Sequence, residues 1–473
     1  MGRIQTLTLG AAIFLLLSIP AEAAALDGAA LRWPWALPFL GILTTIATGP
    51  LLFPKIWHAH YGKIAVMWAI LTLSPLAALY GTDVALTAFA HAMLAEYISF
   101  IVLLFALYVV AGGILVTGNL RGTPLTNTAI LALGTAMASV VGTTGAAMIL
   151  IRPLIRANSA RLRNVHVVVF FIFLVCNIGG ALTPLGDPPL FVGYLRGVDF
   201  FWTAQHLWLP TLFVSGAVLA IFVVLDVALY LKDRRVTTVG EITPPLDLRV
   251  RGRINFVLIA AIIGVILAAA AWKPGIRYEI LGNTVELQNL VRDGVLVLIA
   301  LISLAITRDE HRVANGFTFE PIGEVAILFF GIFVCITPVL AMLQAGPNGA
   351  FAGLVAIVAA NDGFLPREAM YFWMTGGLSA FLDNVPTYLV FFELAGGDPA
   401  QLMGVLRPTL AAISMGAVYM GALTYIGNAP NFMVYAIARD RGIKMPSFFG
   451  FMGWSVVVLV PVFALTSWLF VGR

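Results

Sequence analysis

Two aspartates stand where an acid is costly to place. Asp187 lies in Gly180-Ala181-Leu182-Thr183-Pro184-Leu185-Gly186-Asp187-Pro188-Pro189, and Asp383 in Leu382-Asp383-Asn384-Val385-Pro386-Thr387. Both stretches interrupt long apolar runs, and neither acid has a basic residue beside it in the chain. A carboxylate at such depth is either neutralised by a proton or matched to a cation. A group that holds one and then the other is the smallest device for exchange. Hard cations take oxygen ligands, and Thr143, Thr144, Thr183, Asn384, Thr424 and Asn428 supply oxygen near the two acids. With Gly142 and Gly427, which loosen the backbone there, these residues form the candidate ion-binding set. Na+ is expected at Asp383 and Asp187.

Other acids are weaker candidates. Glu324 opens one apolar run, and Glu393 lies in the return arm of another, so both are secondary choices. Asp226, near a span end, is expected to pair with Lys232 or Arg235. His91 and Glu96 flank an amphipathic stretch, 84–96, read as interfacial, and His166 is expected to be a solvated span end. Cys176 and Cys335 stand alone in apolar runs and read as small core residues. There is no GxxxxGK[ST], no HExxH and no Ser-His-Asp arrangement, so neither direct ATP drive nor an enzyme is expected, and no cofactor beyond the coupling ions Na+ and H+.

The elements that must position these residues cross a bilayer. The 473 residues are 60% hydrophobic and 11% charged, with a mean hydropathy of +0.97, against roughly 25% charged in soluble domains. Apolar runs of about 20 residues, long enough for a ~30 Å hydrocarbon core, recur at 4–22, 35–54, 62–80, 97–118, 166–195, 209–230, 254–272, 293–307, 322–343, 408–438 and 448–471. Two further runs, 125–157 and 367–396, are longer and broken in the middle. The net charge of +4 comes from Lys and Arg between the runs, densest in the 232–253 linker. That is the bias of cytoplasmic loops, not a nucleic-acid face. The lipid bilayer and small ions are the expected partners, and a bacterial inner membrane the expected location. Residues 1–23 have the form of a signal peptide or of a first span, and both readings stay open.

The chain also repeats itself. Gly421-Ala422-Leu423-Thr424-Tyr425-Ile426-Gly427-Asn428-Ala429-Pro430 echoes the Asp187 stretch, and Gly142-Thr143-Thr144 falls opposite Asp383-Asn384-Val385. Position 421 against 180, and 383 against 142, give the same offset of 241. The basic loops fit one topology only if 125–157 and 367–396 each enter and leave on one side, from opposite faces. The expected architecture is therefore all-α and polytopic, with two inverted-topology repeats, each holding a re-entrant hairpin and a broken transmembrane helix. The first repeat covers 35–231 (hairpin 125–157, broken helix 166–195). The second covers 254–473 (hairpin 367–396, broken helix 408–438), after the basic linker 232–253.

At these residues the chain resembles the ion-transporter superfamily, closest to NhaD-type and CitMHS-like sodium:proton antiporters and related to ArsB carriers and divalent-anion/sodium symporters. The resemblance rests on Gly142-Thr143-Thr144 with Ala146-Ala147-Met148, on Leu382 to Thr387, on the two Gly-Ala-Leu-Thr breaks and on Glu320-Pro321-Ile322-Gly323-Glu324-Val325-Ala326. It covers roughly 35–471 and implies secondary active transport by a scaffold-and-transport fold, commonly as a homodimer. In the anion symporters the hairpin tips read Ser-Asn-Thr. Here an acid replaces that pattern, which favours Na+ (or Li+)/H+ antiport, with cation-coupled transport of citrate, another carboxylate or an oxyanion as the alternative.

Overall fold

The computed structural model describes residues 26–234, 249–359 and 367–471. The 1–23 segment and most of the basic linker, Arg235 included, lie outside the described residues. Among those described, ten helices are long and apolar enough to cross a membrane, and the chain is a multi-pass membrane protein. It is nearly all helical. The departures from all-α are two small antiparallel sheets, β1 (Leu115–Thr117) with β2 (Arg249–Arg251), and β3 (Arg277–Ile280) with β4 (Asn283–Glu286).

Among the described residues a 3₁₀ turn (Trp33–Ala36) leads into α1 (Leu37–Leu52) and α2 (Pro54–Tyr80), followed by α3 (Thr82–His91), a π-helical segment (Ala92–Tyr97) and α4 (Ile98–Gly112) in one continuous span. This corrects the interfacial reading of Glu96, which is buried within a helix that runs on from Thr82 to Gly112, whereas His91 is exposed. Next come α5 (Pro124–Val141) and α6 (Thr143–Ala157), which meet at Gly142 and pack against each other. Gly142 has φ +81°, a conformation that side chains other than hydrogen resist. α7 (Val165–Leu174), a 3₁₀ turn (Ile178–Leu182) and α8 (Pro188–Leu195) form an interrupted helix. α7 is apolar on all sides, and every residue from His166 to Leu174 is buried, as expected of a helix enclosed by others rather than by lipid.

The second half runs through α9 (Trp202–Arg234), α10 (Ile254–Ala271), α11 (Leu287–Ile306), α12 (Asp309–Ala314) and α13 (Glu320–Gln344). A short α14 (Ala352–Ala359), unmarked by the apolar pattern, precedes α15 (Arg367–Ser379) and α16 (Asn384–Leu394), a second pair joined by a break. After α17 (Pro399–Met403), α18 (Arg407–Met420) and α19 (Ala429–Asp440) form the second interrupted helix, and α20 (Phe448–Phe470) closes the chain. α4 packs against α11, and the π-helical segment against α13. On the other side, α18 packs against α15 and α16, and α16 against α8.

The breaks are anchored twice in the same way. Thr183 donates its hydroxyl to Ser139 O and accepts from Leu185 N at 3.2 Å. Thr424 donates to Ala380 O and accepts from Ile426 N at 3.3 Å. Each atom in the second set belongs to the residue 241 positions after its counterpart, the offset read from the sequence. The residues that open α8 and α19 match in backbone too, with φ −137°, ψ 138° at Asp187 and φ −148°, ψ 141° at Asn428.

A buried polar cluster ties α5 to α9. Asp226 is fully buried, ion-paired to Arg161, 2.8 Å from His166 Nε2 and an acceptor from Asn127 Nδ2 at 2.9 Å. Among the described residues these partners stand in place of the expected Lys232, Arg235 lies outside those residues, and His166, 2% exposed, is no solvated end. The sequence neighbour lost because a helix side chain meets what lies across the packing interface. Removing one partner of a buried pair leaves an uncompensated charge, at a cost of about 3–5 kcal/mol. Asp226→Ala is therefore expected to lower the thermal unfolding temperature in detergent markedly. Asp226→Asn, which keeps an acceptor for Arg161 and His166, should fall between that variant and wild type.

Candidate functional site

Asp187 is the centre of the interrupted region. It is fully buried, at the start of α8, where the chain has just left the 3₁₀ turn. Three side chains from three other elements donate to it. Asn384 Nδ2, at the first residue of α16, lies 2.8 Å from Oδ2. Asn428 Nδ2, at the cap of α19, lies 3.1 Å from Oδ1, and Thr143 Oγ1, at the first residue of α6, lies 3.2 Å from Oδ1. Among the described residues no ion pair involves Asp187. The negative charge is met by neutral donors only, each such charge-assisted bond contributing about 1.5–3 kcal/mol.

Backbone geometry brings these groups together. Thr143 N donates to Gly186 O at 2.8 Å, seating the tip of α6 on the first break. Gly427 allows the second break to press on the α15–α16 connection: a Cβ there would sit 2.9 Å from Ser379 O and 3.0 Å from Ala380 O. Four helices, α6, α8, α16 and α19, start within this cluster. Their N-terminal ends carry partial positive charge, which favours an ionised carboxylate or another anion.

The structure assigns the expected residues unequal positions. Asp187, Asn384, Asn428 and Thr143 form one hydrogen-bonded group. Asp383 does not join it by a hydrogen bond: its side chain accepts from Val385 N at 3.1 Å as the N-cap of α16, while the residue lines a neighbouring cavity with Thr144. The hydroxyls of Thr183 and Thr424 are engaged with the backbone, as described above. Glu324 lies on the cavity wall, an acceptor from Trp57 Nε1 at 3.4 Å. Glu393 is outside the group, ion-paired to Arg196 together with Glu96.

Several members escaped the sequence reading. Asn177 donates to Ile172 O at 2.8 Å and to Asn431 Oδ1 at 2.7 Å, and its Oδ1 lies 3.3 Å from Asn428 Nδ2. Asn431 in turn donates to Gly421 O at 2.9 Å and Thr424 O at 3.1 Å. A chain of amides thus joins the two breaks. Ser379 Oγ sits 2.6 Å from Asn384 Oδ1, so the carbonyl end of that amide is taken and its NH₂ faces Asp187. The available signal was an amide in the middle of an apolar run, Val175-Cys176-Asn177-Ile178, and a second one after Pro430.

The cavity measures about 560 Å³. Asp383, Asn428, Thr143 and Thr144 stand at one end, and Arg152, Glu320 and Asp440 at the other. α6 runs from Thr143 to beyond Arg152, and α19 from beside Asn428 to Asp440. The cavity therefore follows these helices away from the breaks, to where Glu320 and Asp440 are exposed.

Residues 28–471 match the family CitMHS_2, described as "Putative citrate transport". Uncharacterized transporters of Mycobacterium bovis and Mycobacterium tuberculosis are each 25% identical to the chain over 356 residues, 73% of this chain and 77% of theirs.

The unequal geometry separates the threonines experimentally. Thr143→Val removes a donor to Asp187, and is expected to change the half-saturating concentration of the transported solute by about threefold or more in a flux assay. Thr183→Val removes a bond to the backbone, and should cost about 1 kcal/mol of stability with that concentration unchanged.

Proposed function

The chain belongs to the CitMHS_2 family, and on that premise we propose that it is a secondary transporter that exchanges Na+ (or Li+) for H+ at Asp187. The observation that carries the proposal is a carboxylate with no exposure and, among the described residues, no cationic partner, held by Thr143, Asn384 and Asn428. Taking a carboxylate out of water costs several kcal/mol even after relaxation. Three neutral donors offset part of that and leave room for a proton or cation to supply the rest. Asp383, on the cavity wall, is the acid that an entering ion meets first.

The motion goes with an inverted repeat. The recurrence of the Thr183 and Thr424 anchors at one offset supports two related halves, and the paired helices α5–α6 and α15–α16 support re-entrant hairpins. The cavity opens by Arg152 and Asp440, and Asp440 is flanked in the chain by Arg439 and Arg441, basic positions that argue for a cytoplasmic mouth. In this reading the conformation is open to the cytoplasm of a bacterial inner membrane, and the opposite side is closed.

A second reading is cation-coupled transport of citrate or a similar carboxylate, with Asp187 as the coupling site. The family description favours it, as does a cavity far larger than a bare ion needs. The helix N-termini at its inner end suit an anion. Proteoliposomes separate the two. Antiport predicts that Na+ added outside alkalinises the lumen, because each Na+ that enters is exchanged for H+ that leaves, and that it does so without citrate. The carboxylate reading predicts labelled citrate uptake that depends on the cation. Asp187→Asn keeps the size of the side chain and removes the charge, and it is expected to abolish cation-driven proton movement. Unchanged flux in that variant would overturn the assignment of Asp187 under either reading.

A further inference from the structure

Arg196, just after α8, holds two buried acids at once: Glu393 at the far end of α16 and Glu96 in the π-helical segment. Glu96 and Glu393 are 4% and 3% exposed. A guanidinium offers five donors in a rigid fork and can serve two carboxylates. The triad lies on the side of the breaks opposite the cavity. Asp383 and Glu393 are at opposite ends of α16, about 15 Å apart along its axis, whereas the cavity extends the other way, along α6 and α19.

The three partners come from three separate elements, and α13, on which the π-helical segment packs, also packs on α16. α8 and α16 pack against each other, and both begin at the Asp187 cluster. Glu96 belongs to the span that packs on α11 and α13. Nearby, Arg292 bonds Ser99 Oγ at 2.7 Å and Asp293 Oδ1 at 2.8 Å, and it also contacts Tyr194 of α8. The π-helical turn that carries Glu96 is a rare element, found mostly where function demands it.

We propose that Arg196 is the latch that keeps the side remote from the cavity shut. It stays with Glu393 and exchanges Glu96 for water when that side opens. The second acid explains why such a latch can release. After separation the α8–α16 group keeps a neutral Arg196–Glu393 pair, and Glu96 is left facing the water that enters, so neither side retains a lone buried charge. The proposal rests on the alternating-access reading above, but not on which ion or acid is carried.

Ala436 lines the cavity and can report on it as Ala436→Cys, because Cys176 and Cys335 are both buried. In vesicles with the cavity face outward, a membrane-impermeant maleimide should label this cysteine readily. Adding Glu96→Gln is expected to slow labelling by about threefold or more, as the population moves toward the state closed on that side. Glu393→Gln, which leaves the Arg196–Glu96 contact intact, should label at or above the parent rate, and Glu96→Asp should lie near the parent. Hydrogen–deuterium exchange along α8 gives an independent reading, expected to be faster in Glu96→Gln than in Glu393→Gln. Labelling and exchange in Glu96→Gln equal to the parent, or equal effects from Glu393→Gln, would overturn the latch. Neither measurement uses Na+, proton or citrate flux, so an error in the cargo would show in the transport assays and leave this test standing.

Discussion

A carboxylate buried without a counter-charge organises the centre of this protein. Asp187 is held because three elements distant in sequence each send one donor to it. Those donors can reach it only if four helices stop short of crossing the molecule, because a continuous helix at this depth would turn its polar ends to the two surfaces. The breaks, the Gly and Pro residues that make them and the threonines that anchor them all follow from that requirement. The exposed backbone groups are satisfied within protein, by Ser139, Asn177 and Asn431, as a non-aqueous setting demands.

The same arrangement explains why Asp187 and Asp383 differ although both are acids in breaks. Asp383 bonds the backbone of the helix it caps, a local contact that the start of any helix can offer. Asp187 depends on α6, α16 and α19 staying together. A change in its occupancy therefore acts on the relation between these elements, while a change at Asp383 acts on one helix end and on the cavity wall. This difference makes Asp187 the better candidate for coupling an ion to a movement of packed groups.

Much of this was legible in the sequence, for a physical reason. Breaker residues inside apolar runs are conspicuous, because lipid tolerates neither free backbone nor unpaired acid. Hence Gly142, Asp187, Asp383 and the 241-residue offset stood out, and the helix breaks fall at those residues. What stayed hidden was pairing at long range. Glu96 reads as an interfacial acid until the fold brings it to Arg196 across about 100 positions of chain. The sequence offers Asp226 its near neighbours Lys232 or Arg235, whereas packing gives it Arg161 and His166. The amides Asn177 and Asn431 were missed because a neutral polar residue raises no alarm in a composition.

The two breaks match most closely where they are anchored and differ at the buried acid. Thr183 and Thr424, Leu185 and Ile426, and the backbone of Asp187 and Asn428 match in geometry. Yet the matched side chains at the centre are an acid in one half and an amide in the other. Had both been aspartate, two like charges would face each other in a dry site, and one would have to be neutral. Had both been asparagine, the hydrogen-bonded group would hold no acid, and Asp383 on the cavity wall would be the carboxylate left beside it. One acid and one amide give a single charge with a donor beside it. Two matched breaks thus carry a polar group that is not matched. The shared part sets where the helices end, and the part that differs sets the charge between them.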